Sequence, residues 1–310
     1  MTEFGFIDTI KSLFDHIPSN GFEGIGDDCA VLPLGDGDAL VFTTDVLIED
    51  IHFLRRGASA FEIGAKSLSV NLSDVAAMGA RPVAALLSLA LTADARGEWA
   101  MEFMRGYRSV SERWGVALVG GDTSSSLSSL SVSVTAIGRV NMNNIKRRSS
   151  AVEGDTIMVC GTLGESAEGL RDILAGRCDT AAAHAHRNPE AQIREGIWLG
   201  GRKEVHAMMD LSDGLASDLM HILKASGVGA VVDTESIPAY SDTATAVCGG
   251  EDYKLLFTVD TSHAERLTEE FMRDFGCRPS AVGRIVSGSG IEWRLSGGAI
   301  VPDWSGFSHF

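Results

Sequence analysis

Apolar residues recur every three or four positions in several stretches of the chain, and this spacing predicts amphipathic helices. The first stretch, residues 4–17, ends before Pro18, a residue that terminates helices. A longer one, from Ser59 to Gly79, carries Asn71 and Asp74 near its C-terminal end. Further helices are predicted at residues 95–114, 215–225 and 262–275, and a turn followed by a helix at residues 161–174.

Alternating or continuous short apolar runs predict strands between these helices. They lie at residues 39–44, 82–91, 116–119, 130–140, 156–160, 230–233, 253–259, 281–286 and 291–295. These bounds predict that Asp45 lies at a strand end and that Asp122 follows the end of another strand. The alanine-rich stretch 176–194 is weakly patterned and is interpreted as a helical connection or an exposed insertion.

A polar, basic stretch at residues 141–150 interrupts the pattern of apolar elements. It predicts an N-terminal domain of residues 1–145 and a C-terminal domain of residues 146–310. Two short sequences recur across this boundary: LSD at residues 72 and 211, and a GGD or GGED turn at residues 120 and 249. Such short matches are weak evidence of a repeat, but they fit two α+β halves that face a shared cleft.

The composition limits the classes of partner. A chain of 310 residues with 45% hydrophobic residues has enough length and core for two domains. The formal net charge of −16 argues against nucleic-acid binding, which needs clustered basic residues, and leaves metal ions and metal-bound phosphates as partners. The compact basic run Lys146–Arg148 is, by itself, more typical of a solvated surface.

The cysteines and the N-terminus indicate a cytoplasmic protein. The five cysteines are odd in number, widely spaced and without a C-x-x-C pair, which is typical of reduced thiols. No apolar stretch reaches the length of a membrane span, and Glu3, Asp8 and Asp15 occupy the region where a signal peptide would be basic and then apolar. We therefore expect neither a membrane span nor a secretory signal.

Acidic residues stand beside small residues at six places along the chain. These places are Asp27-Asp28, Asp45, Asp50, Asp74, Asp122 and the pair Asp210/Asp213. Asp-Gly and Asp-Ser pairs also form ordinary turns, so any single place is ambiguous. Together, carboxylates with neighbouring hydroxyl oxygens are the ligands of a hard cation, and Mg²⁺ in such sites commonly bridges to substrate phosphates.

Other phosphate and acyl chemistries lack their motifs. The nearest approach to a Walker A loop, around Lys66, has Ser59 at its first glycine position and falls within a predicted helix. No kinase catalytic loop or G-x-S-x-G elbow is present, and Cys29 has no evident histidine partner. Metal-assisted phosphoryl transfer remains, and a phosphate acceptor is a nucleophile at neutral pH, so no general base is predicted.

The motifs, in their order along the chain, resemble those of the thiamine-monophosphate kinase family. They are GIGDDCAVL, TTDVLIEDIHF, KSLSVNLSDVAAMGARP, GGDT, DLSDGLASDL, GGEDYKLLFTV and the closing GFSHF. The family belongs to a superfamily with aminoimidazole ribonucleotide synthetase, selenophosphate synthetase and a hydrogenase-maturation protein. The resemblance implies an α+β fold of two halves, each with a mixed sheet and helices, and an active site in the cleft between them.

The resemblance also implies the reaction and its partners. It implies direct transfer of the γ-phosphate of ATP, the co-substrate, to thiamine monophosphate, with several Mg²⁺ ions and no general base. It further implies a homodimer formed by the N-terminal halves.

Site residues follow from the same resemblance. The implied Mg²⁺ ligands are Asp28, Thr43, Thr44, Asp45, Asp74, Asp122, Asp210 and Asp213, with Asp74 bridging ions. The implied ATP contacts are Gly121, Asp122, Arg148 and Ser212, and the implied substrate contacts are His52, Glu251 and Phe307. Without the resemblance, His52 is interpreted as a buried, hydrogen-bonded histidine and Phe307 as a core aromatic residue. Asp27 and Asp50 become supporting neighbours.

Two departures and three alternatives stay open at this point. The segment 237–248 is shorter than in similar proteins, and a Pro-rich turn is reduced to Asn188-Pro189-Glu190. A sister synthetase would use the same ATP site for another acceptor. A non-enzymatic cation-binding protein would carry a D-x-[DN]-x-[DN]-G loop, which is absent. The pair His184/His186 is a further metal candidate, against an interpretation as solvated surface.

Overall fold

The computed structural model describes residues 3–295 and 304–307 of the chain. Within them the N-terminal half contains one mixed sheet and three α-helices. The strands are β1 (Ala30–Pro33), β2 (Asp38–Ile48), β3 (Arg81–Leu91), β4 (Ala117–Ser125) and β5 (Ser131–Asn141). The helices are α1 (Glu3–Phe14), α2 (Ala60–Ala77) and α3 (Glu98–Trp114).

The N-terminal sheet has the order β1-β2-β5-β3-β4, in which only β3 and β4 pair in parallel among the described strands. One face packs against α2, and the side chains of β2 alternate accordingly. Leu47 is buried, whereas Val46 and Ile48 are exposed on the other face. All of β4 is exposed. This sheet therefore has one covered face and one open face.

The C-terminal half contains a second mixed sheet, with the order β11-β8-β10-β6-β9-β7 among the described residues. Its strands are β6 (Thr156–Val159), β7 (Val205–Asp210), β8 (Gly229–Asp233), β9 (Leu255–Val259), β10 (Ser280–Val286) and β11 (Gly290–Arg294). Its helices are α4 (Glu165–Leu174), α5 (Ala181–Arg187), α6 (Ile193–Gly200), α7 (Leu215–Ser226), α8 (Thr243–Cys248) and α9 (Ala264–Phe275). Mixed sheets and helices in both halves confirm the predicted fold class.

Helix α2, from the N-terminal half, packs against elements of both halves. A capping box between Ser59 and Glu62 begins it. Its residues are buried almost throughout, because α3 covers it within the N-terminal half and α6 and β7 contact it from the C-terminal half. The close packing on α3 needs a glycine: a Cβ on Gly106 would lie 1.8 Å from the backbone oxygen of Phe61. The position of Asp74 on α2 is thereby fixed relative to both sheets.

Most predicted elements form, and the differences concern the ends of two strands and four elements that were not predicted. Asp45 was predicted at a strand end, but β2 continues to Ile48, so Asp45 lies within the strand. Asp122 was predicted after a strand, but β4 continues through it to Ser125. Both strands gain ladder hydrogen bonds across polar residues, which an apolar pattern does not reveal. Strands β1 and β7 and helices α6 and α8 were not predicted.

One surface interpretation was wrong, and a second was correct only in part. Lys146 is 5% exposed and its Nζ donates hydrogen bonds to the carbonyl oxygens of Arg202 and Val205, at 2.6 and 2.8 Å. Helix α5 confirms the helical alternative for the stretch 176–194, but the stretch is not an exposed insertion, because Ala182, Ala183 and His186 are buried. In both places short local sequences carry polar residues whose partners lie far along the chain.

Strands β1–β5 precede residue 145 and β6–β11 follow it. We propose the boundary between residues 145 and 146 on this ground, and separate expression of the two segments would test it. The five cysteines are free, as expected. Among the described residues, no helix combines the length and the apolar character needed to cross a bilayer.

Candidate active site

Three carboxylates from distant parts of the chain meet between the two sheets. Asp28 precedes β1, Asp74 lies on α2, and Asp210 ends β7. One carboxylate oxygen from each lies within 4.8 Å of the other two. Asp28 and Asp210 are buried, at 8% and 3% exposure. The sequence prediction that carboxylates from both halves converge is confirmed for these three.

The cluster is electrostatically strained without a cation. Burial, followed by the charges of Asp45, Asp210 and Asp28, raises the pKa of Asp74 well above its usual value. Burial and the neighbouring Asp28 raise the pKa of Asp210 to about 7. Burial and Asp213 raise the pKa of Asp45 to about 6. Like charges at this spacing in a dry site disfavour ionisation unless a cation compensates them.

Arg148 partly compensates this charge. It lies in a short 3-10 turn, Arg148–Ser150, whose backbone is tied to α7 by a hydrogen bond from Ser226 Oγ to the Arg148 carbonyl, 2.8 Å. Its guanidinium donates to Asp28 Oδ1, while its backbone N–H faces the Asp27 carboxylate at 3.3 Å. Arg148 is therefore part of the site and not a solvated charge.

Within the cluster, one buried carboxylate oxygen has no hydrogen-bond partner among the described residues. Asp28 Oδ2 is inaccessible and unpaired, although its carboxylate belongs to the three-membered cluster. A buried carboxylate oxygen without a donor costs free energy, and coordination of a cation would satisfy it. The residues present fit a divalent cation on this observation and on the all-oxygen character of the cluster.

Strand β2 presents alternate residues to opposite faces, and this separates the three neighbours Thr43, Thr44 and Asp45. Thr43 Oγ1 donates to Asp74 Oδ2 at 2.6 Å, and the backbone N–H of Asp45 donates to Asn71 Oδ1 at 3.0 Å. Both residues thus face α2. The hydroxyl of Thr44 instead donates to the carbonyl oxygen of Val134, 3.1 Å away, so the structure does not bring this hydroxyl to the cluster.

The turn after β7 is held from within the C-terminal half. Asp218, on α7 and 1% exposed, accepts hydrogen bonds from the backbone N–H groups of Asp213 and Gly214, at 3.1 and 3.0 Å. The backbone N–H of Glu251 donates to the carbonyl oxygen of Ser212 at 2.7 Å. These bonds fix the turn that carries Ser212 and Asp213, so both residues keep a defined position beside Asp210.

A cleft of about 570 Å³ opens beside the carboxylates. From the N-terminal half it is lined by Asp45, His52 and Asp74, and from the C-terminal half by Asp213, Glu251 and Phe307. The implied substrate contacts His52, Glu251 and Phe307 therefore share one cavity, which supports their assignment. Of the closing GFSHF motif, residues 308–310 lie outside the described part of the chain.

The environment of Phe307 differs from the interpretation based on sequence alone, whereas His52 is hydrogen-bonded as interpreted but only half-buried. Phe307 is 52% exposed, and its backbone N–H donates to the carbonyl oxygen of Asp213 at 2.9 Å, so it is not a core aromatic residue. His52 lines the cleft, and its Nδ1 accepts a hydrogen bond from the backbone N–H of Ile48, 3.0 Å away. That bond orients the imidazole within the cleft.

Gly121 and Asp122 are not brought to the carboxylate cluster. They lie on the exposed strand β4, three strand positions from β2 in the order β2-β5-β3-β4. Three strand spacings correspond to roughly 14 Å. Asp122 also pairs in register with Ser88, which is exposed, and its side chain belongs to the open face. Within one chain, Asp122 and Asp45 therefore cannot share a metal ion.

Sequence reasoning missed several residues that organise the site. Lys66 and His186 contact Glu251, and Asp218 holds the turn at Asp213. Lys66 was considered only as part of a Walker-like loop, which its place inside α2 excludes. His186 is buried and lines the cleft, whereas His184 is exposed, so the two do not form a metal pair. A charged residue at a buried helical position was the available signal for Lys66.

Comparison with known proteins agrees with this architecture. Residues 26–140 match the family described as AIR synthase related protein, N-terminal domain, and residues 152–295 match the corresponding C-terminal domain. The chain is 36% identical to the thiamine-monophosphate kinase of Escherichia coli strain K12, over 99% of this chain and 98% of that protein. It is 35% identical to that of Synechococcus elongatus, over 92% and 91%.

Solved structures give the same result. AaThiL complexed with AMPPCP and TMP is 32% identical, with a TM-score of 0.86 and coverage of 100% of this chain and 97% of that one. The thiamine-monophosphate kinase from Stenotrophomonas maltophilia is 35% identical, with a TM-score of 0.77 and coverage of 96% and 98%. HypE from E. coli, at 20% identity and a TM-score of 0.74 over 95% of each chain, shares the fold. This chain belongs to the thiamine-monophosphate kinase family.

Proposed function

We propose that this protein transfers the γ-phosphate of ATP directly to the phosphate of thiamine monophosphate, giving thiamine diphosphate and ADP. The observation that carries the proposal is the convergence of Asp28, Asp74 and Asp210 beside a cleft lined by both halves. The relative AaThiL, complexed with AMPPCP, an ATP analogue, and with TMP, supports the choice of both substrates. The family's kinase activity identifies the chain as a phosphotransferase in the formation of thiamine diphosphate.

Several Mg²⁺ ions would be held by this site. Asp28, Asp74 and Asp210 would provide the central ligands, with Asp74 shared between ions, and Asp45, Asp213 and the Thr43 hydroxyl would complete the shell. Bound Mg²⁺ supplies compensation for the negative charge of two phosphates, whose repulsion is on the order of 4 kcal/mol per pair of unit charges at 4 Å and an effective dielectric of 20.

The remaining work of the chain is binding and orientation. Arg148, beside Asp28, and Ser212, at the turn after β7, would contact the ATP phosphates. A phosphate acceptor is already ionised at neutral pH, so none of the described residues needs to remove a proton from it. The site accordingly needs fixed charges and exclusion of water more than it needs an acid or a base.

His52, Glu251 and Phe307 would hold the organic part of the acceptor. They stand in the same cleft as Asp45 and Asp74, so an acceptor that contacts them directs its phosphate at the carboxylate cluster. The aromatic ring of Phe307, half exposed, offers a surface for stacking against a heteroaromatic ring. The shortened segment before Gly249 forms helix α8, which has six residues and borders the same cleft through Cys248.

We further propose that the protein acts as a homodimer in the cytoplasm. Val46, Ile48 and Leu86 expose apolar side chains on the open face of the N-terminal sheet, at 46%, 37% and 38%. Exposed apolar side chains on one face of a sheet favour an interface there. A partner on this sheet would also place its own Gly121 and Asp122 near ATP, a position that these residues do not reach within one chain. Sedimentation velocity and cell fractionation would test the two statements.

The deciding experiment is a product assay. Purified protein with ATP, Mg²⁺ and thiamine monophosphate is expected to form thiamine diphosphate and ADP in equal amounts, measured by chromatography. Thiamine and aminoimidazole ribonucleotide precursors serve as alternative acceptors in parallel reactions. ATP binding without thiamine diphosphate formation would reject the acceptor and favour a sister synthetase.

A further inference from the structure

The carboxylate of Glu251 is held by side chains from both halves of the protein. Lys66 Nζ, on α2, lies 3.0 Å from Glu251 Oε1. His186 Nδ1, on α5, lies 3.5 Å from Glu251 Oε2 and 2.9 Å from Ser166 Oγ. Oε1 therefore has a charged partner, and the His186 imidazole lies beside Oε2.

The position of Lys66 requires that partnership. Its side chain is only 3% exposed, and a buried ammonium group is stable when it is paired and hydrogen-bonded. Its second contact is the carbonyl oxygen of His52, 3.2 Å away. The partners of Lys66 are thus two of the three proposed acceptor contacts, one from each half.

The backbone of Glu251 is fixed independently of its side chain. Its φ of 63° is uncommon for a residue other than glycine, and its N–H donates to the Ser212 carbonyl at 2.7 Å. A Cβ on the preceding Gly250 would lie 2.5 Å from that same carbonyl oxygen, so a larger residue does not fit at position 250. With the backbone fixed by the turn, Lys66 and His186 decide where the carboxylate points.

Lys66 does not itself line the cleft formed by the described residues, whereas His52, His186 and Glu251 do. We propose that Lys66 is a positioning residue for the acceptor. It compensates the charge of Glu251, orients that carboxylate as a hydrogen-bond acceptor, and fixes the His52 backbone against it. This inference rests on the proposed function, because the acceptor that Glu251 contacts is thiamine monophosphate.

Replacing Lys66 by methionine tests the inference, because Lys66→Met keeps the length of the side chain and removes its charge and donors. We expect KM for thiamine monophosphate to rise about tenfold to a hundredfold, as for loss of a hydrogen bond to a charged group. We expect kcat and KM for ATP to change by less than about threefold, because the carboxylate cluster is untouched. Lys66→Gln keeps one donor toward His52, and its KM for thiamine monophosphate is expected to lie between those of the wild-type protein and Lys66→Met. This variant replaces Lys66→Met in the test if Lys66→Met does not fold.

The matched control is Lys146→Met. Lys146 is also a buried lysine, 5% exposed, but its Nζ donates to the carbonyl oxygens of Arg202 and Val205 and not to a residue of the cleft. We expect this variant to lose thermal stability as Lys66→Met does, with KM for thiamine monophosphate unchanged. An equal rise of KM in both variants would assign the effect to general destabilisation and overturn the proposal.

A double-mutant cycle separates positioning from direct contact. If Lys66 acts through Glu251, the pair Lys66→Met with Glu251→Gln raises KM no further than the larger single effect. Additive effects would overturn the proposal, as would an unchanged KM in Lys66→Met while the wild-type protein forms thiamine diphosphate. If the wild-type protein forms none, the proposed function fails first, and the positioning role fails with it.

Discussion

The surroundings of Asp74 make it a member of the carboxylate cluster. It lies on the buried helix α2, accepts a hydrogen bond from Thr43, and groups with Asp28 and Asp210. Asp50 appeared equally promising in the sequence, but it is exposed and has a φ of 67°. The difference between the two acidic residues comes from their surroundings and not from their own chemistry.

We expect Asp74→Asn to reduce kcat by at least about a hundredfold, because a neutral amide does not compensate the positive charge of a shared cation. The measurement is thiamine diphosphate formation at limiting and at saturating Mg²⁺. Asp50→Asn is the control, since asparagine tolerates positive φ and the site is remote from the cluster. Normal turnover of Asp74→Asn at limiting Mg²⁺ would remove Asp74 from the bridging role.

A stability measurement distinguishes this loss from unfolding. Asp74→Asn removes a carboxyl group whose ionisation is disfavoured by burial and then by the charges of Asp45, Asp210 and Asp28. The variant is therefore expected to be at least as stable as the wild-type protein in the absence of divalent cations. A lower midpoint of thermal unfolding under those conditions would contradict this account of the cluster.

At the scale of elements, strands β2 and β4 decide which side chains belong to one site. Both strands extend beyond their apolar segments, and alternation then directs Thr43 and Asp45 toward α2 but Thr44 and Asp122 toward the open face. We propose that the open faces of two chains pack together, so that Asp122 of the partner chain reaches the cleft, which Thr44 and Val46 of the open face also line.

Mixing two inactive variants tests this arrangement. In a dimer of an Asp74→Asn chain and an Asp122→Asn chain, one site lacks both carboxylates and the other is intact. Random co-assembly should therefore restore about a quarter of the wild-type activity, since about half of such dimers contain one intact site of two. Co-expression with two affinity tags and a product assay would measure it.

The control pair is Asp74→Asn with Asp45→Asn, because both residues belong to the same chain's cluster and no site in the mixed dimer is intact. It is expected to stay inactive. Restored activity in this control, or none in the Asp74 and Asp122 mixture, would show that Asp122 does not act across the interface.

For the whole molecule, the raised pKa values couple folding to pH. The pKa values of Asp27 and Asp210 are raised from 3.8 to about 7, chiefly by burial and then by Asp28, and that of Asp45 to about 6 by burial and then by Asp213. Between about pH 4 and about pH 7 the folded state therefore binds more protons than the unfolded chain. The free energy of unfolding is then highest at the acidic end and falls as the pH rises through these values.

Mg²⁺ should reverse this trend. We expect the midpoint of thermal unfolding in a chelator to fall from about pH 5.5 to about pH 8, and millimolar Mg²⁺ to raise it more at the higher pH, where protons no longer compete for the ligands. At a hundredfold excess over its Kd a ligand adds about 2.7 kcal/mol of stability. If Mg²⁺ raised the midpoint equally at both pH values, the cation would not be bound by these carboxyl groups.

The sequence by itself determined most of the elements and the chemistry. Periodicity depends on which face of a helix or strand is buried, and so α2, β3, β5 and α7 were predictable from local residues. Carboxylates beside small residues indicated cations and phosphates, and the ordered motifs indicated the family, because both signals are carried by residues close together in the chain.

Tertiary structure alone decided which of those residues meet. The extension of β2 past Asp45 depends on its ladder with β5, and the separation of Asp122 from Asp45 depends on the strand order. Lys66, Glu251 and His186 are far apart in the sequence, and their pairing follows from the way α2 and α5 pack across the two halves. Contacts of this kind depend on the direction of side chains in three dimensions, which no local pattern records.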